Sequence, residues 1–420
     1  MKIIYDISTI SEQRSHRTGL ARTTLKTAEL LTKRFGSQVR FSAIGSLQSL
    51  VASESVLAEW PASQHAVPDR KLARKLVNWE RRLKERTNNK LSMALLATIR
   101  QLMSFVNKTR VVVPPQSIAG VDIFHSSYAR IPRQLRAQRN LRFILTLHDL
   151  TPLVLPEGVF SERQRKITKR IADSICSSDW VICVSEATKR DFQDYSMHPS
   201  SRIAVIPWAA EKQYFHNSVT AQDIENIRSK YKIPPGRYVL SLSSMAPNKN
   251  VSHLVKCFER ARSADEMDSV TLVMAGGQAF ADGASSRNAI GSHVHWIGYV
   301  DDTDLAPLYC GATAFAFPSL YEGFGLPVLE AMQCGAPVIC SNTSSLPEIA
   351  GDAAILLPPS DEAEWQTAIK QICANADLRA QLSEKGVVRA AEYSWDRTIN
   401  ELESFYHRVL ERTGDCPNEF

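Results

Sequence analysis

Short apolar runs alternate along this chain with longer segments of helical periodicity. Such runs predict strands that are buried on both faces, and their alternation with helices predicts a doubly wound parallel sheet, an α/β fold. In the first half the predicted strands are Lys2–Asp6, Val39–Ile44, Ile123–His125, Arg142–Thr146, Trp180–Val184 and Ile203–Ile206. In the second half they are Tyr238–Leu242, Val270–Ala275, Val294–Ile297, Thr313–Phe317, Val338–Cys340 and Ala354–Leu357.

A polar stretch, Pro207–Thr220, separates the two halves. Because 420 residues exceed the size at which a single core stops growing, we expect two domains. We place the first at residues 1–212, with a basic insertion at about 68–110, and the second at 213–394. Ligands on such sheets bind beyond the carboxyl ends of the strands, so the two domains should face each other across a cleft. Residues 395–420 close the chain and begin with a predicted helix.

The composition indicates a folded protein, with a hydrophobic fraction of 44%. The N-terminus enters a predicted strand at once, without a basic region followed by a long apolar stretch. The apolar segment Ser92–Val106 is interrupted by Arg100 and Gln101, so it is not expected to cross a membrane. We therefore expect a cytoplasmic protein. The eight cysteines include no C-x2-C pair, which favours reduced, mostly buried side chains over zinc or disulfide sites.

The basic insertion is the most uneven part of the charge pattern. Between Asp69 and Arg110, twelve Lys or Arg residues accompany three acidic ones, whereas the net charge of the whole chain is +6. Interleaved apolar residues, among them Leu72, Trp79 and Leu83, make it a candidate amphipathic helix on an anionic membrane, the inner face of the cell membrane. A solvated insertion packed on the first domain is the equal alternative. No nucleic-acid partner is expected, because no recognition motif accompanies the charge.

The stretch that says most about function is 318–332, where two glutamates flank a glycine-rich turn that opens a predicted helix. The run before it predicts a buried strand, and Pro327 suits the first helical position. The glycines would let the backbone approach a ligand, and the free amides of the helix suit a diphosphate. Glu322 would be free to accept hydrogen bonds from sugar hydroxyls, and Glu330 could hold a ribose diol. The alternative is two solvated glutamates beside an ordinary loop.

This stretch closely resembles the E-x7-E signature of the family 4 retaining glycosyltransferases of the GT-B architecture. The resemblance continues through residues 335–339, 345–348 and 351–354. It implies two facing Rossmann-like domains and a C-terminal helix that crosses back to the first domain. It also implies that Glu322 binds the donor sugar and that Glu330 binds the ribose of the nucleotide. The backbone implied to support the donor near its phosphates comprises Gly323, Phe324, Gly325 and Leu326.

Two segments of the first domain resemble further motifs of the family. T-G-L-A-R at residues 18–22 is similar to the glycine loop T-G-I-G-R, with alanine in place of the second glycine. This resemblance implies that Gly19 and Arg22 face the donor phosphates and the acceptor. The pair His148 and Asp149 resembles the H-D motif. It implies that His148 contacts the transferred sugar near its reacting centre, and that Asp149 orients it or holds the loop.

The loop after the first predicted strand of the second half matches the family at Lys249. We assign Lys249 to the donor diphosphate, because a compact cation can neutralise charge on the leaving nucleotide. The arginines of the family pattern are absent, and Ser244 and Asn248 stand in their places. Either another cation such as Arg22 compensates, or phosphate binding is weaker. The segment around Ser185 also resembles the family, and we expect Ser185 to cap a helix.

The resemblance implies retaining transfer of a hexose, with mannose favoured, from a nucleotide diphosphate sugar to a growing, lipid-linked glycan of the cell envelope. The nucleotide sugar is a substrate, so no cofactor is expected. We expect the chain to have no D-x-D metal motif, and therefore expect metal independence as well. Two alternatives stay open. One is an epimerase or hydrolase of nucleotide sugars on the same fold, and the other is a non-catalytic subunit that binds the nucleotide sugar.

Overall fold

The computed structural model describes residues 1–12, 19–44, 50–51, 53–67, 71–85, 90–109, 113–138, 140–242, 246–262, 267, 269–276 and 293–411. Asp69, Arg110, Ser244 and residues 412–420, which enter the sequence analysis above, lie outside these ranges.

The first sheet is parallel, with strand order β2-β1-β3-β4-β5-β6 among the described residues. Ile3 pairs with Val39 on one side and with Ile123 on the other, so the direction in which strands are added reverses at β1. The strands are β1 (Ile3–Asp6), β2 (Val39–Ser42), β3 (Ile123–Ser126), β4 (Arg142–Leu147), β5 (Trp180–Cys183) and β6 (Ile203–Val205).

The second sheet is also parallel, in the order β12-β11-β10-β7-β8-β9. Here the order reverses between β7 and β10, and in open α/β sheets such a switch point is where ligands bind. Every predicted strand is present, with its ends shifted by at most two residues, and the predicted fold class is confirmed. The strands are β7 (Arg237–Leu242), β8 (Val270–Ala275), β9 (Val294–Gly298), β10 (Ala314–Phe317), β11 (Val338–Ser341) and β12 (Ala354–Leu357).

Helices connect the strands within both halves. Before residue 212 they are α1 (Ser8–Glu12), α2 (Gly19–Phe35), α3 (Glu54–Leu57), α4 (Lys71–Glu85), α5 (Lys90–Thr109), α6 (Pro115–Ile118), α7 (Thr151–Val154), α8 (Glu162–Ala172) and α9 (Glu186–Tyr195). After it they are α10 (Ala221–Lys230), α11 (Val251–Ala261), α12 (Asp302–Cys310), α13 (Leu326–Gln333), α14 (Leu346–Ala350), α15 (Glu362–Ala374), α16 (Ala376–Ala391) and α17 (Trp395–Glu411).

The last helix, α17, returns to the first sheet. Its buried residues, including Leu402 and Phe405, belong to the same hydrophobic cluster as Ile3 and Trp180. The Phe405 ring meets Trp180 edge to face, with centroids 5.7 Å apart. The crossover helix that the resemblance implied is therefore confirmed.

The basic insertion forms a helical hairpin of α4 and α5, rather than one amphipathic helix. The two helices pack on each other and on the first domain through a small core that includes Ala43, Leu76 and Ile99. Glu80 is buried between them, and its carboxylate lies 3.1 Å from both Lys84 and Arg100. In the described part of the chain, no helix combines the length and apolarity needed to span a bilayer.

Candidate active site

A cleft of about 500 Å³ lies between the carboxyl ends of the two sheets. In the second sheet its walls are the loops that follow β7 and β10, the strands at the switch point. In the first sheet they are the start of α2 and the loop after β4. The predicted site residues that line the cleft are Gly19, Arg22, His148, Asp149, Lys249, Glu322, Gly323, Phe324, Gly325 and Leu326. Glu330 does not line it.

Glu322 follows β10 and is held on every side. Its backbone N–H donates to Ser344 Oγ at 2.9 Å, and its carbonyl accepts from Ser345 Oγ at 2.9 Å. Its carboxylate lies 2.6 Å from Lys249 Nζ and also accepts from the Ser319 hydroxyl. The pairing fixes the carboxylate and leaves its remaining lone pairs for hydroxyl donors in the cleft.

Gly323 lies against the opposite half of the chain. A Cβ atom built on it would lie only 1.8 Å from the carbonyl oxygen of His148. The missing side chain thus lets the opposite domain come close, at a residue that also lines the cleft. Gly325 is different, because its φ of +113° is a conformation that glycine adopts readily. Gly325 caps α13, so Pro327 occupies the second helical position and not the first.

His148 sits between two aromatic rings that the sequence analysis missed. Tyr128 meets it edge to face at a centroid distance of 5.5 Å, and Trp208 lies at 5.8 Å on another side. The Trp208 Nε1–H donates to His148 Nδ1 at 3.5 Å, the long limit for a hydrogen bond. Burial lowers the pKa of His148 to about 3, so its imidazole is neutral at ordinary pH. Trp395 stacks behind Trp208 at 5.7 Å.

Asp149 holds the loop that carries His148. Its carboxylate accepts from the Thr151 backbone N–H at 3.0 Å, and burial raises its pKa. Its carbonyl accepts from the Tyr128 hydroxyl at 2.9 Å. Tyr128 has a φ of 103°, which is rare for a bulky residue and is typical of functional loops. Of the two roles implied for Asp149, the contacts match holding the loop.

Arg22 crosses the interface to Glu330. Its Nη2 atom lies 2.5 Å from Glu330 Oε1, its Nη1 atom lies 3.6 Å from Asp302, and its guanidinium packs over the Phe215 ring at 5.3 Å. Glu330 is 1% exposed, and burial raises its pKa while Arg22 lowers it. Arg22 therefore pairs with the carboxylate predicted for the ribose, and not with Glu322 beside Lys249.

Asn248 stands at one of the positions where the family pattern has an arginine, and its side-chain amide makes a structural contact. Asn248 is buried, and its side-chain N–H donates to the Tyr321 carbonyl at 3.0 Å. This bond ties the loop after β7 to the loop after β10. Lys249 is thereby placed next to Glu322, and the loop offers Lys249 rather than an arginine to a ligand.

Asp302 and Asp304 have the D-x-D spacing, which the sequence analysis overlooked. They lie in the first turn of α12, where residues two apart point to different sides of the helix. Asp302 pairs with Arg22, and Asp304 accepts from Lys230 and from the Tyr231 hydroxyl. The described residues include no group of three or more His, Cys, Asp or Glu side chains placed to hold a metal ion.

The segment around Ser185, predicted as a helix cap, also joins the two domains. Ser185 Oγ accepts from the Thr188 N–H at 3.0 Å, which confirms the cap of α9. The hydroxyls of Ser185 and Thr188 both donate to the Gly323 carbonyl, at 2.6 and 3.0 Å. The first domain therefore hydrogen-bonds to the backbone of the second domain directly after Glu322. Sequence alone could not assign this role, because it depends on the opposite domain.

Comparison with known proteins decides the family. The family profile described as Glycosyl transferases group 1 matches residues 223–388, and the one described as Glycosyltransferase Family 4 matches residues 65–211. The chain is 30% identical over 286 residues to O-antigen chain mannosyltransferase B of Escherichia coli, which covers 66% of this chain and 73% of that protein. This chain belongs to the family 4 glycosyltransferases.

This glycosyltransferase is also similar to a second mannosyltransferase in sequence and to a solved structure in fold. It is 26% identical over 279 residues to the serotype-specific mannosyltransferase WbdA of Escherichia coli, covering 65% of this chain but 34% of that longer protein. The structure of HepE from Anabaena in complex with UDP aligns with a TM-score of 0.65 at 16% identity, covering 97% of this chain and 100% of HepE. At that identity the likeness shows the shared two-domain fold.

Proposed function

We propose that this glycosyltransferase moves a hexose, with mannose favoured, from a nucleotide diphosphate sugar to a growing glycan of the cell envelope. The observation that carries the proposal is the Lys249–Glu322 pair at the switch point of the second sheet, with His148 opposite it. Similarity to O-antigen chain mannosyltransferase B supports mannose and an envelope glycan. UDP in HepE supports a nucleotide as the donor's leaving group.

In the proposed reaction the bond between the anomeric carbon and the phosphate oxygen breaks, and the acceptor oxygen bonds to that carbon. Negative charge grows on the departing diphosphate, where Lys249 and the positive end of the α13 dipole would stabilise it. Positive charge grows on the sugar ring. The Glu322 carboxylate would stabilise it, and the neutral imidazole of His148 would not repel it.

We propose that the reaction retains the anomeric configuration through attack from the face that the leaving group vacates. The departing phosphate oxygen then takes the proton of the acceptor hydroxyl. Two carboxylates line the cleft near His148. Glu322 is held by Lys249 and Ser319 and Asp149 by the Thr151 N–H, which suits electrostatic stabilisation and loop positioning better than nucleophilic attack. Metal independence is part of the proposal, since Lys249 supplies a positive charge in the cleft.

The decisive experiment is a donor screen on the purified full chain. Nucleotide sugars that raise the melting temperature are bound, because a ligand of the folded state stabilises it by an amount that grows with the logarithm of its affinity. Labelled donor and a mannose-terminated acceptor then separate the outcomes. A glycoside product with retained configuration supports the proposal, whereas free sugar or an epimerised donor supports the alternative enzyme classes. Binding without any turnover, in the presence of acceptor, supports the non-catalytic subunit.

We also propose that the helical hairpin docks this enzyme on the inner face of the cell membrane, where a lipid-linked acceptor resides. Packing buries Leu76 and Ile99, yet the hairpin exposes a second apolar set beside its cations. A bilayer with anionic headgroups matches this combination of apolar and positive surface. The exposed large apolar side chains of the hairpin are Leu72, Trp79, Met93, Leu95, Leu102 and Phe105. Its exposed cations are Lys71, Arg74, Lys75, Arg81, Arg82, Lys84 and Arg100.

A further inference from the structure

A second concavity, here called the α2 groove, runs along the outer face of α2. It encloses about 640 Å³ between that helix, the turn at Glu59 and Trp60, and the segment that joins the two domains near Tyr214. This volume lies within the range of sites that bind small organic molecules. The α2 groove and the donor cleft share Arg22 and Asp302 in their walls. The groove therefore begins at the ribose end of the cleft.

Charge in the α2 groove is balanced. Three cations and four carboxylates line it, and Lys26 lies between Glu29 at 2.9 Å and Glu211 at 3.6 Å. A polyphosphate or nucleic acid would need an excess of positive charge, which this lining lacks. An apolar ligand would desolvate the paired charges without replacing their hydrogen bonds. The lining suits a neutral ligand whose groups both donate and accept hydrogen bonds.

Two aromatic rings complete the α2 groove. The indole of Trp60 lies on buried Phe41, with centroids 4.3 Å apart and planes inclined by 33°, and this contact fixes its orientation. Tyr214 lines the groove from the segment between the domains. Such side chains present an apolar face together with a polar edge. A sugar ring has the matching character, with C–H groups on its faces and hydroxyls around its rim.

We propose that the α2 groove binds saccharide units of the growing glycan that lie away from its reacting end. The identity of the glycan rests on the proposed function. Transfer is assigned to the sugar end of the cleft near Glu322 and His148, whereas the groove begins at the ribose end beside Arg22 and Asp302. Holding a remote part of the acceptor raises the effective concentration of its reacting end at the cleft. Long acceptors should therefore react faster than short ones at equal concentration.

The test is calorimetric binding of linear mannose oligosaccharides of increasing length to the full chain. Tyr214→Ala and Trp60→Ala should each weaken binding by about tenfold, the loss of one aromatic contact. Tyr214→Ala lies in the joining segment and keeps the test valid if Trp60→Ala fails to fold. Met197→Ala, at a fully exposed side chain outside the groove, is the matched control and should bind like the wild type. Affinity for nucleoside diphosphates should be unchanged in all three variants.

Two binding results would overturn the groove. One is a wild type that binds no oligosaccharide of any length. The other is binding that survives Tyr214→Ala and Trp60→Ala but is lost in Glu322→Ala, which would place the sugar in the donor cleft. Oligosaccharide binding weakened by the groove variants, in a chain that turns over no donor, would support the groove and refute the proposed function. Turnover that shows no preference for long acceptors would refute the groove alone.

Discussion

Replacing Gly323 by alanine should separate donor binding from catalysis. The backbone tolerates the change, because Gly323 does not have a positive φ. The new Cβ, however, would lie 1.8 Å from the His148 carbonyl oxygen, and real Cβ atoms essentially never approach other atoms within 3.0 Å. The two domains must therefore separate locally by at least the difference, about 1.2 Å.

That separation stretches the hydrogen bonds from Ser185 and Thr188 to the Gly323 carbonyl, which start at 2.6 and 3.0 Å. It also moves His148 away from Glu322. A misplacement of about 1 Å at a catalytic group can cost about 100-fold in rate, so we expect kcat to fall by about that factor. Lys249 and α13 belong to the same domain as Gly323, so affinity for the nucleoside diphosphate should stay within about threefold.

The assay is steady-state turnover of the donor found by the screen, with calorimetric binding of the matching nucleoside diphosphate. Gly386→Ala is the control, because its Cβ would meet Met332 at 3.4 Å, an ordinary contact between α16 and α13. Gly19→Ala should be intermediate, since its Cβ would lie 3.1 Å from a flexible Leu326 methyl group. A Gly323→Ala enzyme with wild-type kcat would refute the account of domain contact at this residue.

The remaining predictions concern the cleft and the hairpin. Glu322→Ala should lower kcat by about 100- to 1,000-fold with a smaller effect on donor affinity, as measured by kinetics and calorimetry. Lys249→Ala should weaken nucleoside diphosphate binding as well as turnover, and unchanged affinity would contradict its assignment. Because the pKa of His148 is lowered to about 3, folded-state stability should fall as pH drops below about 6.5. Urea unfolding of His148→Gln should show a smaller loss on acidification than the wild type. Trp79→Ser with Phe105→Ser should reduce co-sedimentation with anionic vesicles, and neutral vesicles are the control.

The strands were predictable because a buried parallel strand is a continuous apolar run, whatever surrounds it. Val270–Ala275 and Ala354–Leu357 coincide with the predicted ranges, and elsewhere only the ends differ. The helical hairpin was less accessible to sequence reasoning. Leu76 and Trp79 are both apolar and three residues apart, yet Leu76 is buried and Trp79 is 52% exposed. Periodicity identifies an apolar face, but it does not distinguish the side that packs on the domain from the side that faces outward.

Pairs of residues that meet across the cleft could not be predicted from the sequence, for a different reason. Spacing relates residues within one loop, whereas the Arg22–Glu330 pair joins residues 308 positions apart and depends on how the two domains meet. Trp208 lies in a stretch interpreted as a polar link, with no motif to connect it to His148. Tyr128 could have been found only through its positive φ, which is a property of the folded chain.

Gly323 shows that a motif can identify a site without revealing every contact that its residues make. The glycines around Glu322 match the pattern of a loop that approaches a ligand, and the loop does line the cleft. Glycine is favoured at position 325 by the backbone itself, because φ there is +113°, a conformation that glycine adopts at little cost. Glycine is favoured at position 323 because a side chain would collide with the His148 carbonyl of the other domain. A glycine at a domain interface can therefore serve closure instead of ligand contact, and the two causes predict opposite effects of alanine. Loss of ligand contact would weaken nucleotide binding, whereas impaired closure would leave binding intact and slow the chemical step.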